Sequence, residues 1–294
     1  MRTVLYCFYA ALLLACAPSE TGQGVAEKHD ILLVNGEVYI GEKGEEAKPW
    51  LVGITGNRIS FIGPDPDRQQ SASEVIDVTG LVVAPGFIDP HTHAQADLID
   101  PEASHFGHYT HQGVTTILTG NDGGGPFNTE DVLTTIQDIQ VGVNAGLFTG
   151  HNTLRTHVMG SDDRIPSEEE LSSMRELLAA SLQQGSFGPS AGLYYAPGAF
   201  AETSELTALA AEVARWGGVY ESHIRDESTY SIGLLAAIEE AIAIGEANGV
   251  PVHIAHIKAL GVDVWGKSAQ AVRLIEAART RGVSVTADQY PWAA

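Results

Sequence analysis

Cysteine is nearly absent: the 294 residues include two, Cys7 and Cys16. Both precede any segment with the pattern of a folded body, so no disulfide frames the protein, and any metal site must be built from His, Asp and Glu. Positive charge is also scarce. Sixteen Lys and Arg face 37 Asp and Glu, a formal net charge of −21, which repels nucleic-acid phosphates and anionic lipid headgroups and excludes both as electrostatic partners. Long apolar runs are missing apart from Val4 to Leu14, which is too short to span a bilayer. With 44% hydrophobic and only 18% charged residues, the chain can bury a large core, so disorder is excluded and one large or two modest domains fit.

Residues 1–15 carry one positive charge, Arg2, ahead of that apolar run, the pattern of a secretory signal. It ends in Leu13-Leu14-Ala15-Cys16, which resembles the lipobox of bacterial lipoproteins and implies a lipidated Cys16. The expectation is an exported protein, periplasmic or membrane-anchored, that meets the membrane only through this anchor. Residues 16–29 are rich in Ser, Gly, Glu and Gln and are expected to form a solvated tether. Residues 30–84 show short alternating runs separated by Asn35-Gly36 and Gly56-Asn57. Turn dipeptides between runs of period two predict antiparallel hairpins, hence a small β-sandwich-like domain.

After Pro85 the rhythm becomes apolar run, loop, helix-period segment, apolar run, the sign of a parallel sheet with covered faces. Strands are expected at Gly86–Pro90, Val114–Thr119, Ala145–Thr149, Ser186–Ala191, Val219–His223, Val252–His256 and Val283–Asp288. Ser167-Glu168-Glu169-Glu170 reads as a capping box opening one helix. Ile232, Leu235, Ile238 and Ile242 mark the apolar face of a second, stopped by Gly249 and Pro251, and Ala271, Ile275 and Ala278 mark a third. A doubly wound sheet would place a Gly-rich phosphate loop after its first strand; here that position holds Asp89-Pro90-His91-Thr92-His93. The fold class is therefore α/β, a (β/α)₈ TIM-type barrel over residues 85–294, with seven strands visible and the eighth expected beyond Ala294.

His91 and His93 lie two apart at the end of the first parallel strand, so both imidazoles can face the barrel mouth, where enzymes of this architecture build their sites. His223 and His256 end two further strands. The second strand runs into Gly120-Asn121-Asp122-Gly123-Gly124-Gly125, placing the Asp122 carboxylate at the same mouth. His253 reads as a buried, hydrogen-bonded imidazole, while His29, His105, His108, His111 and His157 read as solvent-exposed or capping.

Ala84-Pro85-Gly86-Phe87-Ile88-Asp89-Pro90-His91-Thr92-His93 resembles the opening of the amidohydrolase superfamily. The segments Thr115–Asn121, Ser190–Tyr195, Glu221–Glu227, His256-Ile257-Lys258 and Asp288–Pro291 are similar to the N-acyl-D-amino-acid deacylases. The resemblance implies a zinc ion held firmly by Asp122, His223 and His256, with His91 and His93 forming a second, weaker position. In that family the strand-two ligand is usually Cys; Asp122 is a harder oxygen donor. Lys258 and Tyr290 match positions that face the substrate in the family, with Lys258 suited to the carboxylate of an N-acyl amino acid; Tyr194 is a further candidate, and Arg225 either joins them or holds its loop by pairing with the adjacent Asp226 and Glu227. Asp288 reads as structural. The family's general base is an Asp ending the eighth strand, so it is expected beyond Ala294, and the 294-residue chain alone is expected not to catalyse.

The implied activity is zinc-dependent cleavage of linear amide bonds in small N-acyl amino acids. A cyclic-amide hydrolase of hydantoinase type would need a carbamylated Lys on the fourth strand, and residues 185–195 contain none. A dipeptidase and a non-catalytic metal-binding lipoprotein are the alternatives from neighbouring and different classes.

Overall fold

The structure is a computed structural model that describes residues 28–66 and 69–291; the leader and Cys16 lie outside them. The chain divides into two compact units, Met1–Pro85 and Gly86–Ala294.

The first unit holds β1 (Lys28–Val34), β2 (Glu37–Val38), β3 (Leu51–Thr55), β4 (Arg58–Gly63), β5 (Ser71–Asp77) and β6 (Val82–Val83). Gly56-Asn57 makes the expected hairpin, pairing Thr55 with Arg58 across β3 and β4. Asn35-Gly36 does not. Both edges of β1 are occupied, by antiparallel β3 and parallel β5, so β2 finds no edge there and pairs in parallel with β6. The unit is thus a mixed four-stranded sheet, ordered β4-β3-β1-β5, plus a two-stranded ladder, rather than a run of hairpins. Lys28 and His29, expected in the tether, open β1. His29 is buried, not exposed, and its ring nitrogens lie 2.8 Å from Ser60 Oγ and 2.8 Å from Gln70 Oε1.

In the second unit the strands are β7 (Phe87–Thr92), β8 (Val114–Thr119), β9 (Asn144–Leu147), β10 (Thr149–Gly150), β11 (Pro189–Gly192), β12 (Tyr220–His223), β13 (Val252–Ile254) and β14 (Val285–Ala287). They pair in parallel and in sequence order. Only Phe148 separates β9 from β10: its N–H donates to Thr119 O at 2.8 Å, and the next N–H, of Thr149, donates to Gly188 O at 2.9 Å. One physical strand therefore changes partner at Phe148 and joins the two ladders, giving seven strand positions. The helices are α1 (Gln95–Leu98), α2 (Gly107–Thr110), α3 (Thr129–Ile139), α4 (His151–Met159), α5 (Glu168–Gln183), α6 (Thr203–Val213), α7 (Leu234–Asn248) and α8 (Ser268–Thr280).

The capping box at α5 is formed in both directions, Glu170 N to Ser167 Oγ at 3.2 Å and Ser167 N to Glu170 Oε2 at 2.8 Å, so two otherwise unpaired donors are satisfied. Helix α7 begins two residues later than its apolar pattern suggested: Ile232 is exposed, and Leu234, Ile238 and Ile242 carry the buried face. Gly249, at φ +65°, ends it. That face meets Val213, Tyr220, Ile254, Ile275 and Val285 in the main core, which fixes α6, α7 and α8 against the outer side of β11 to β14. Among the described residues no helix is long and apolar enough to cross a membrane.

Candidate metal centre

The C-terminal ends of the first and seventh strand positions converge: His91 Nδ1, on β7, lies 3.8 Å from Asp288 Oδ2, just after β14. The residues that end the strands therefore share one mouth. Period two places His91 and His93 together there while Thr92 between them turns away, its hydroxyl donating to Leu118 O at 2.8 Å.

Asp122 sits at the centre. Its Oδ2 is 3.6 Å from His91 Nε2 and 3.4 Å from His93 Nε2, while its Oδ1 is 3.4 Å from His223 Nδ1 and 3.4 Å from His256 Nε2. One carboxylate thus offers a separate oxygen to each pair of imidazoles. Two donors on a single tetrahedral zinc, each about 2.0–2.1 Å from it, lie roughly 3.3 Å apart. The observed separations match that spacing and exceed a hydrogen bond. His91, His93 and Asp122 form one potential ligand set and Asp122, His223 and His256 a second.

The backbone holds Asp122 in a conformation that few residues adopt, φ +56°, between Gly120 at +89° and Gly123 at +80°. The loop is pinned by Gly123 N donating to Ser190 Oγ at 3.1 Å and Gly150 N donating to Gly125 O at 3.0 Å. His256 is also left-handed, φ +33°, which ends β13 at Ile254 and turns the imidazole into the mouth. Non-glycine residues held at positive φ need a surround that over-determines them.

Both ring nitrogens of His91 and of His223, together with Asp122 Oδ1, are buried and lack hydrogen-bond partners. Buried polar atoms are rarely left so, because each costs about 1–3 kcal/mol. Convergent, unpartnered nitrogen and oxygen donors at ligand spacing fit one or two divalent cations. The electrostatics agree in direction. Burial alone would raise the Asp122 pKa, but the surrounding imidazoles of His223, His256, His91 and His93 pull it far below the usual carboxylate range. Burial alone would lower the pKa of His91, yet Asp122 and Glu221 push it up to about 10, and Asp122 and Glu227 likewise push His256 up to about 9. A cation binding here would displace those protons.

Behind the donors lie Glu221 and Glu227, to which the motifs assign no role, and Asp288, expected to be structural. Glu221 is fully buried; its Oε1 is 3.5 Å from His91 Nδ1 and accepts a 3.4 Å bond from Asn121 Nδ2. Glu227 Oε1 lies 3.2 Å from His256 Nδ1 and 3.8 Å from His223 Nε2. Asp288 accepts from His256 N at 2.8 Å and lies 2.7 Å from His253 Nε2, so it braces the sixth strand end, and His253 is the bonded imidazole expected.

Lys258 reaches the mouth, paired with Glu227, 2.8 Å from His256 Nδ1, and 5.5 Å from the Tyr290 ring centroid. Tyr194 is partly exposed, its ring 5.6 Å from His223, and Tyr195 is nearer, at 4.6 Å. Arg225 is not at the site. Its guanidinium binds Glu240 of α7 at 2.9–3.2 Å and Ala199 O at 3.2 Å. Nor does it pair with Asp226, whose carboxylate is used up accepting Ser228, Ser231 and Gly233 N–H groups.

No family model matches the chain. The D-aminoacylase of Alcaligenes xylosoxydans xylosoxydans is 35% identical over 300 residues, which cover 92% of this chain and 59% of that protein. Among solved structures, the N-acyl-D-glutamate deacylase of Bordetella bronchiseptica, complexed with zinc and a phosphonate mimic of the tetrahedral intermediate, superposes with a TM-score of 0.82 at 31% identity. It matches over 90% of this chain and 59% of its own. A D-aminoacylase described as having a binuclear metal center, and as defining a subset of amidohydrolases, superposes at 0.78 and 0.79 in two structures, each at 33% identity and covering 90% of this chain and 59% of that one. The chain spans about 59% of the length of these proteins.

Proposed function

The chain is a homologue of the D-aminoacylases and N-acyl-D-amino-acid deacylases, amidohydrolases with a TIM-type barrel, and from that premise we propose that it is a zinc-dependent hydrolase of linear amide bonds. Its reaction splits an N-acyl-D-amino acid into a carboxylate and a free amino acid. The observation that carries this reading is the Asp122 carboxylate set between two imidazole pairs at ligand spacing.

Asp122, His223 and His256 would hold the tighter zinc. His91 and His93 share Asp122 in the weaker position, because the His93 side chain is 65% exposed and water competes for its place. A divalent cation supplies Lewis acidity, polarising the amide carbonyl and making water nucleophilic near neutral pH. The protein's own groups do the rest of the positioning. Glu221 behind His91 and Glu227 behind His256 orient the rings and raise their basicity, as outer carboxylates do for ligating histidines. Lys258 meets the substrate carboxylate, exchanging Glu227 for it; Tyr194 and Tyr290 flank that path. Asp122, an oxygen donor where the relatives usually carry sulfur, shifts the preference toward harder cations such as manganese.

The test is release of free amino acid from N-acetyl-D- and N-acetyl-L-amino acids by the protein expressed from its complete reading frame, with and without a zinc chelator. D-selective, chelator-sensitive release supports the reading. Hydrolysis of cyclic amides instead, or no hydrolysis despite bound metal, overturns it. For localisation, Leu13-Leu14-Ala15-Cys16 supports a lipid-anchored exported protein; labelled fatty acid should enter the wild type and not the C16S variant.

A further inference from the structure

We infer that the cavity beside Asp122 seats the acyl chain of the substrate, so that this protein favours N-acyl amino acids with acyl groups larger than acetyl. The inference rests on the deacylase reading above. The cavity has a volume of about 510 Å³, and its walls include Asp122, Phe127, Asn152, Thr153, Thr156 and His157. That volume is within the range of small-molecule pockets and far larger than a methyl group requires.

Position supplies the first argument. The wall shares Asp122 with the metal centre, so an occupant reaches the reacting carbonyl directly. Asp122 follows β8, Asn152 to His157 lie on α4 directly after β10, and Pro197, also in the wall, follows β11. Lys258 follows β13, with β12 and its His223 in between. The cavity and the lysine therefore flank the metal centre along the strand order. An amide carbonyl has two sides. Its nitrogen leads to the amino acid's Cα, carboxylate and side chain together, and the carboxylate is drawn to Lys258. The acyl carbon chain must leave on the other flank, over the second to fourth strands.

Chemistry supplies the second argument. Among the described residues no Lys or Arg lines the cavity, and apart from the Asp122 carboxylate and the His157 ring its polar side chains are bonded to backbone. Asn152 Nδ2 donates to Gly192 O at 3.2 Å while its Oδ1 accepts from Gly192 N at 3.3 Å. Thr153 Oγ1 donates to Gly123 O at 3.4 Å, and Thr156 Oγ1 donates to Asn152 O at 2.8 Å. What remains for an occupant is carbon surface and the rings of Phe127 and His157, 4.7 Å apart. Such a wall rewards an alkyl or aryl chain and offers a second carboxylate neither lysine nor arginine, beside an Asp122 that repels it.

Calorimetric binding of straight-chain carboxylates, the acyl products, to the zinc-supplemented full chain tests this. A fully buried methylene strengthens binding about fourfold, or about 0.8 kcal/mol. Thr156 and His157 leave the rim exposed, so about twofold per methylene is expected, and octanoate should bind on the order of 50-fold more tightly than acetate. T156W, and H157W as a second variant, should each cut the octanoate-to-acetate ratio at least fivefold, with thermal melting confirming that both fold. Acetate binding with a flat chain-length series overturns the cavity assignment and leaves the deacylase reading standing; no carboxylate binding at all overturns both. A ratio unmoved by either substitution, or a change in amino-acid side-chain preference at fixed acetyl, also overturns the assignment.

Discussion

Replacing Glu221 with Gln isolates the contribution of a residue that touches no substrate. The side chain is fully buried on β12, with Oε1 3.5 Å from His91 Nδ1, while the other nitrogen of that ring points at Asp122 Oδ2 from 3.6 Å. The imidazole is sandwiched between two carboxylates, one placed to set its tautomer and the other placed to share a cation with it. Gln keeps the shape and removes the charge. Loss of such an outer carboxylate weakens metal binding about 10- to 100-fold, or roughly 1.4–2.7 kcal/mol. At saturating zinc that difference appears in full as lost stabilisation. A domain of this size shifts by about 2–4 °C per kcal/mol, so the zinc-induced rise in Tm should shrink by roughly 3–10 °C. The metal-free Tm should move little. Glu221 Oε2 is buried without a partner, and removing a buried charge relieves its desolvation cost, which opposes the lost attraction to His91. Zinc affinity by chelator competition and melting with and without zinc are the two assays. Zinc affinity within twofold of wild type, with an unchanged zinc-induced Tm rise, would refute the argument that Glu221 acts through His91.

Gly123 should tolerate no side chain. A Cβ there would lie 2.3 Å from Asn152 Oδ1 and 2.8 Å from Gly192 N at φ +80°, so G123A must displace the loop that carries Asp122; zinc retained after dialysis, measured by atomic absorption, should show at least a tenfold loss of affinity, on the scale of a mispositioned ligand. Away from the mouth, Glu205 is buried between Arg155 Nη1 at 2.5 Å and His151 Nε2 at 2.7 Å. Burial would raise its pKa, but His151 and Arg155 hold it below the ordinary range of a glutamate. A carboxyl lowered on folding stabilises fully above its unfolded pKa and loses that contribution as pH falls through the folded value. E205Q, which leaves Arg155 without its buried counter-charge, should therefore cost about 3 kcal/mol at pH 7 and progressively less as pH falls through the lowered folded value. Urea unfolding across that range decides it, and a constant difference between variant and wild type would contradict the ion-pair account.

The residues around Asp122 were legible because strand ends are legible. Each of His91, His93, His223 and His256 closes an apolar run, and a parallel sheet sends all such ends to one side. Glu221 carried the same signal unread: two residues before His223, it must point the same way, and a carboxylate on an inward strand position needs a partner there. Other features had no local signal. The partner of Arg225 is Glu240, which lies on the next helix and matches no motif near it, so adjacent Asp226 and Glu227 looked equally suitable; Asp226 was taken by three backbone donors and Glu227 by Lys258 and His256. Asn35-Gly36 failed as a hairpin signal for a related reason. A turn dipeptide specifies a reversal, but which strand receives the returning chain depends on free edges, and β1 had none left once β3 and β5 had paired with it.

The pairing of Lys258 carries the last step. A lysine held by Glu227 contributes no net charge to the mouth until a second carboxylate arrives to share it, and Glu227 is simultaneously 3.2 Å from His256 Nδ1. Under the proposed function, a substrate carboxylate that drew Lys258 away would leave Glu227 to His256 and His223, strengthening the His256 ring as a metal donor. Substrate carboxylate and metal affinity would then be coupled through one glutamate, and linkage requires the coupling to run both ways.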